Sequence, residues 1–84
     1  MIKIEGLKIR TRTVMSHLMS DKDYTVSKMA IKLDLCYTAV WRMLNGSRNL
    51  SFFRVCQMLN AMEVSMEEFM RRLRNMEDNK YFGV

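Results

Sequence analysis

Apolar residues recur along most of this chain at intervals of three and four, which is the period of an amphipathic helix. Five segments follow that period, over about residues 7–19, 26–33, 36–45, 52–62 and 66–74. Outside the third segment, the predicted packing positions are Leu7, Val14, Met15, Leu18, Met19, Met29, Ala30, Leu33, Phe52, Val55, Cys56, Leu59, Met62, Met66, Phe69, Met70 and Leu73. Proline is absent and there are three glycines, so few tight turns are expected. The pattern therefore predicts an all-α fold of five short helices.

Local signals mark several helix ends. Thr25, Ser51 and Ser65 stand at N-cap positions, where a hydroxyl oxygen can accept from a free backbone N–H. Glu68 is placed to complete a capping box with Ser65. Asn45-Gly46 predicts the end of the third helix, because glycine adopts a positive φ without steric cost.

The length of 84 residues suits one domain, predicted over 1–84, with a helical bundle over 7–74. Residues 1–5 alternate apolar and charged positions, which fits either a short edge strand or a disordered arm. The last residues, DNKYFGV, turn from polar to apolar. Short extended N- and C-terminal ends are therefore compatible with the pattern.

The third helix separates two different faces when its residues are placed about 100° apart. The inner face carries Cys36, Ala39, Val40, Met43 and Leu44, and the outer face carries Tyr37, Thr38, Trp41, Arg42 and Asn45. A solvated face would ordinarily be built from Lys and Glu, which favour both helix formation and solubility. Rings, a hydroxyl, an amide and a guanidinium instead suit base edges, sugars and thymine methyl groups. We interpret the outer face as a binding surface.

Charge indicates the class of partner. Fourteen Lys and Arg against nine Asp and Glu give a net charge of +5 and a pI near 9.6. Such a balance favours an anionic partner, nucleic acid more often than a membrane surface, with a merely soluble charged surface as the alternative. No apolar run approaches the roughly 18 residues of a membrane span, and the start lacks the apolar stretch of a signal peptide.

The residues give little support for a catalytic or metal-binding site. His17 is the only histidine, and Cys36 and Cys56 are twenty positions apart, which predicts two packed, reduced thiols. Glu67 and Glu68 point about 100° apart on a helix, so they cannot flank one substrate atom. We expect a non-enzymatic protein with no cofactor, metal or small-molecule ligand, and leave open a redox role for Cys36 at the start of its helix.

From Thr25 to Met70 the sequence resembles the lambda-repressor/Cro-like, or XRE-like, helix-turn-helix family. The resemblance is carried by small Ala30, by Leu33 and Leu35 around a turn, by Val40, and by NGSRN and MLNAMEVSMEEFM further on. It implies a helix-turn-helix core over about 25–46 with the third helix in the major groove of DNA. The implied base contacts are Tyr37, Thr38, Trp41 and Arg42; the implied DNA backbone contacts are Thr25, Lys28, Asn45, Gly46, Ser47 and Arg48.

The chain departs from the family pattern at several positions. Val26 stands where the family usually has Gln, Asp34 where it has a turn Gly, and Leu50 where Pro is common. Asp tolerates the left-handed conformation better than most residues, so the turn is expected to form. The basic cluster RRLRN at 71–75 is interpreted as complementing the negative end of the fifth helix.

The resemblance implies a sequence-specific transcription regulator of double-stranded DNA, most simply a phage or mobile-element Cro-like repressor. It would act as a homodimer on a palindromic operator, in the cytoplasm of a bacterial cell or of a phage host. Candidate dimer contacts outside the shared motif are the fifth helix and the terminal residues Ile2, Ile4, Tyr81, Phe82 and Val84. A DNA-binding antitoxin, or a protein-binding module without DNA binding, remain the alternatives.

Overall fold

The computed structural model describes residues 4–76, with side chains described from 6 to 75. This part of the chain forms five α-helices and contains no strand, which confirms the predicted all-α fold. The helices are α1 (Ile4–Asp21), α2 (Val26–Leu33), α3 (Tyr37–Asn45), α4 (Phe52–Met62) and α5 (Met66–Met76).

The three predicted N-caps are present, but the capping box predicted at Ser65 is incomplete, because the Glu68 carboxylate accepts from Arg71 and Arg72 instead of from the Ser65 N–H. The hydroxyl oxygens of Thr25, Ser51 and Ser65 each accept a hydrogen bond from the backbone N–H three residues further on, at 3.1, 3.2 and 3.1 Å. Because these hydroxyls satisfy N–H groups that have no partner within the helix, they fix where α2, α4 and α5 begin. The observed bounds of α2 and α4 agree with the predicted ranges.

The first helix is longer than predicted. It begins at Ile4 instead of residue 7 and ends at Asp21 instead of residue 19. Residues 4 and 5 are therefore helical and not extended, while residues 1–3 and the apolar end of the sequence lie outside the described part. Apolar periodicity marks only the turns that pack, and no proline interrupts the polar turns on either side. The fifth helix likewise continues two residues beyond its predicted end at 74.

One apolar cluster joins all five helices. Met15, Met29, Met43 and Met58 are fully buried at its centre, one from each of α1 to α4. Phe69 and Leu73 add α5 to the same cluster. Unbranched methionine side chains can fill irregular gaps between short helices, so a domain of this size closes its core without large aromatic residues at the centre.

The turn between α2 and α3 is short and closely bonded. Asp34 adopts the left-handed conformation, with φ 57° and ψ 46°, and its N–H donates to the Ile31 carbonyl at 3.2 Å. The Leu35 N–H donates to the Ala30 carbonyl at 2.9 Å. Ala30 and Val40 are both buried where the two helices pack. This arrangement is compatible with the predicted helix-turn-helix.

Four predicted packing positions are wrong. Leu7, Phe52 and Met70 are 41, 73 and 47% exposed, although each belongs to a predicted apolar face. Cys36 is also exposed, at the N-cap of α3, so only Cys56 is a partly buried thiol. A helical wheel gives the direction of a side chain from the helix axis, but it contains no information about whether another element covers that direction.

An ion-pair network fastens α5 to α1. Arg72 donates from Nη1 to Asp21 Oδ2 at 2.7 Å and from Nε to Glu68 Oε2 at 2.8 Å. Arg71 also donates to Glu68, at 2.6 Å. Hydrogen bonds from Arg71 and then Arg72 lower the pKa of Glu68 from 4.5 to about 2, and the bond to Glu68, followed by that to Asp21, raises the pKa of Arg72. Two arginines of the basic cluster therefore have structural partners.

Glu68→Gln should reduce the dependence of stability on pH. Because the pKa of Glu68 is lower in the folded chain than its ordinary 4.5, its contribution is complete above that pH and is lost as the pH falls towards 2. Urea unfolding followed by circular dichroism between pH 6 and 2 should show a shallower decline for the variant than for the natural chain. Glu67→Gln, one residue away and exposed, is the matched control. Equal slopes for all three chains would contradict the assigned role of Glu68.

Candidate nucleic-acid interface

The two faces of α3 separate as the sequence predicts. Ala39, Val40 and Met43 are buried, and Leu44 is half-buried. The opposite face, which we call the α3 outer face, consists of Tyr37, Thr38, Trp41, Arg42 and Asn45, all exposed. Tyr37 and Trp41 are 54 and 49% exposed. Burial of the inner face therefore fixes a surface on which two large rings stand in solvent.

The charge on this surface is positive, and no carboxylate among the described side chains pairs with it. The sequence of α3 contains no acidic residue. Within the part of the chain whose side chains are described, no carboxylate lies at ion-pair distance from Arg42 or Arg48. Both guanidinium groups are exposed. Their donors are thus available to a phosphate or to a guanine edge.

Backbone N–H groups in the loop after α3 are hydrogen-bonded within the chain. Gly46 has a φ of 92°, and the N–H groups of Gly46 and Arg48 both donate to the Arg42 carbonyl at 3.1 Å. The Ser47 N–H donates to Asn45 Oδ1 at 2.9 Å. These backbone donors are already paired in the free chain. The exposed side chains of Ser47 and Arg48 are therefore better placed to meet a phosphate than the main-chain N–H groups of this loop.

The start of α2 is also engaged locally. Thr25 is exposed and uses its Oγ1 as an acceptor at the cap, which leaves its hydroxyl proton free to donate. Lys28 Nζ donates to the Asp23 carbonyl at 3.2 Å and lies 6.0 Å from the centre of the Tyr24 ring. Lys28 must therefore give up these two weak contacts before it can reach a phosphate.

Arg12 of α1 belongs to this region, although sequence reasoning did not select it. A Cβ placed on Gly46 would lie 2.9 Å from Cζ and Nη2 of Arg12, so the guanidinium rests directly against the glycine. Positive charge is favourable there because the backbone at the C-terminal end of a helix carries a partial negative charge. No local pattern links Arg12 to Gly46, since the contact is made between different helices.

The candidate dimer residues are not placed. Ile2, Tyr81, Phe82 and Val84 lie outside the described residues, as does the side chain of Ile4. Among the described residues, no three His, Cys, Asp or Glu side chains are grouped closely enough to hold a metal ion. No described helix has both the length and the apolar character required to cross a membrane.

Comparison of the chain with protein-family models, with curated proteins and with solved structures found no match. The helix-turn-helix family therefore remains a resemblance, carried by the residue pattern between Thr25 and Met70. The structure adds a short α2–α3 turn, a buried inner face of α3 and an exposed outer one, all compatible with that resemblance.

Gly46→Ala should destabilise the domain by about 1–2 kcal/mol, because an L side chain is strained at positive φ and its Cβ would overlap Arg12. Urea unfolding should show a smaller loss when Gly46→Ala is made in an Arg12→Ala background, since the overlap is then removed. Gly6→Ala is the control, because a Cβ there meets only Arg10 Nη1, at an ordinary 3.6 Å. An equally stable Gly46→Ala protein would contradict the strain at positive φ, and an undiminished loss in the Arg12→Ala background would contradict the overlap.

Proposed function

We propose that this protein is a sequence-specific regulator of transcription that binds double-stranded DNA through α3. The observation that carries the proposal is the α3 outer face, where two rings, a hydroxyl, an amide and a guanidinium are exposed side by side. The net charge of +5 supports an anionic partner. The resemblance to the lambda-repressor/Cro-like family independently suggests the same surface.

The dimensions of α3 suit the major groove. An α-helix with its side chains is about 10–12 Å across, which fits a major groove about 12 Å wide. The nine residues of α3 extend roughly 13 Å, at 1.5 Å per residue. The first turn of the helix presents Tyr37 and Thr38, and the next presents Trp41 and Arg42. Arg42 would donate two hydrogen bonds to guanine, at O6 and N7. Thr38 would reach a base edge, and the two rings would pack against sugars or thymine methyl groups.

Phosphate contacts would surround the C-terminal end of α3. Arg48 and Ser47 are exposed in the loop, and Arg12 lies against Gly46 beside them. Such contacts position the protein on the duplex without reading its sequence. Thr25 and Lys28, at the start of α2, would supply a second set on the other side of the turn.

Repression by occupying a promoter is the simplest mechanism, because it requires only DNA binding. A single module covers few base pairs, so we propose a homodimer that reads two half-sites about 34 Å apart. Its place of action would be the bacterial cytoplasm or that of a phage host. A DNA-binding antitoxin uses the same chemistry and adds a protein partner, for which the structure offers the apolar cleft described in the next subsection.

Arg42→Ala should weaken binding by about 1–3 kcal/mol on the preferred duplex and relax the preference at one base pair. The duplex is first obtained by selection from random sequences, and affinity is then measured by fluorescence anisotropy on that duplex and on its single-base variants. Arg74→Ala removes an equal charge from the exposed side of α5 and serves as the control. Equal weakening on all sequences would make Arg42 a backbone contact.

Arg48→Ala should weaken binding to all duplexes to a similar extent. Because a phosphate contact releases counterions, the slope of log affinity against log salt should fall by about one. The titration is repeated across roughly 50–200 mM salt with the natural chain and the Arg74→Ala control. A slope identical to that of the natural chain would remove Arg48 from the phosphate backbone.

A further inference from the structure

A second surface lies behind the α3–α4 loop. An open cleft of about 560 Å³ is lined by α1, this loop, the start of α4 and α5. Its apolar wall is formed by Leu7, Leu50, Phe52, Val55, Met66, Phe69, Met70 and Leu73. The cleft lies within the range of about 300–1,000 Å³ that is common for binding pockets.

Three apolar residues that the sequence predicts to be buried are instead exposed, and all three border this cleft. Leu7, Phe52 and Met70 come from α1, α4 and α5, and each remains substantially in solvent. Three helices thus direct uncovered apolar side chains to one place. Clustered exposure of this kind marks interaction sites more often than scattered single residues do.

The charges around the cleft distinguish between possible occupants. Lys8, Arg12 and Arg48 line it, whereas none of its lining residues is acidic. Pairing this face with the same face of a second copy would bring like charges together, which is unfavourable. DNA would find few polar donors on an apolar wall, so the cleft differs in character from the α3 outer face. An occupant that complements this cleft therefore needs apolar side chains to fill it and carboxylates to pair with its cations.

We propose that this cleft docks a segment of a partner protein in which acidic residues flank aromatic or aliphatic anchors. The anchors enter between Leu7, Phe52 and Met70, and the carboxylates meet the surrounding cations. An amphipathic segment lying in an apolar groove is a common form of peptide recognition. The assignment does not depend on whether the protein binds DNA.

Docking has a consequence for regulation that rests on the proposed function. Arg48 borders the cleft and is also a proposed phosphate contact, and Arg12 joins the two regions through Gly46. An acidic segment that engages these arginines competes with the DNA backbone for them. The partner therefore acts as an inhibitor of DNA binding.

Selection of random dodecapeptides displayed on phage against the full chain, without DNA, tests the site. Enriched peptides should combine at least two Asp or Glu with Phe, Leu or Trp. Synthetic copies should bind Met70→Asp at least ten times more weakly than the natural chain, and Lys8→Glu should weaken them as well. Ile31→Asp is the control, because Ile31 is 80% exposed on α2, away from the cleft. Circular dichroism verifies that each variant is folded.

The proposal is overturned if no peptide is enriched, if the enriched peptides lack acidic residues, or if they bind Met70→Asp as well as the natural chain. Sedimentation velocity without peptide that reveals a dimer lost in Met70→Asp would assign the cleft to a second copy instead. Binding that appears only after Tyr81 and Phe82 are both replaced by Ser would assign it to the chain's own segment 77–84. Either of these two results would also overturn the proposal.

The effect of the peptide on DNA binding is measured separately. The selected peptide should lower affinity for the selected duplex at least fivefold in the natural chain and have no such effect in Met70→Asp. Absence of any DNA binding would overturn the proposed function and leave peptide docking standing. Unchanged DNA affinity with peptide bound would overturn the competition alone.

Discussion

The position of α3 depends on the burial of Val40 and Met43. Both side chains are fully buried in the cluster that contains Met15, Met29 and Met58. Burial of one such side chain contributes about 1.5–3 kcal/mol, and a small domain is stable by only about 5–15 kcal/mol in total. Because that total is a small difference between large opposing contributions, removing either side chain from the core would cost a large fraction of it. The opposite face of α3 consequently has to point to solvent, whatever side chains it carries.

The end of α3 is fixed by a different set of interactions. Gly46 allows the chain to reverse at positive φ, the Arg42 carbonyl accepts two loop N–H groups, and Arg12 lies against the glycine from α1. A Cβ at this position would force that guanidinium to shift. Positive charge is thus concentrated where a helix lying in a groove would come close to the phosphate backbone. Stability and the proposed binding chemistry use the same few atoms here.

The molecule presents two surfaces of different character that meet at the α3–α4 loop. The α3 outer face is polar and aromatic, whereas the cleft behind the loop is apolar with cations around it. Arg48 borders both regions. A domain with one surface for DNA and an adjoining one for protein would couple the two ligands through this shared residue, without requiring any change of conformation. Competition for a charged group is sufficient.

Sequence alone determined which segments form helices, because capping residues and apolar periodicity act within a few neighbouring positions. Thr25, Ser51 and Ser65 marked the starts of three helices, and Asn45-Gly46 marked the end of α3. It also determined which side of α3 packs. Tertiary structure decided what covers each helix. Leu7, Phe52 and Met70 were left uncovered, and Arg12 was brought to Gly46, because both outcomes depend on how separate helices are placed in space. A one-dimensional period contains no information about such distances.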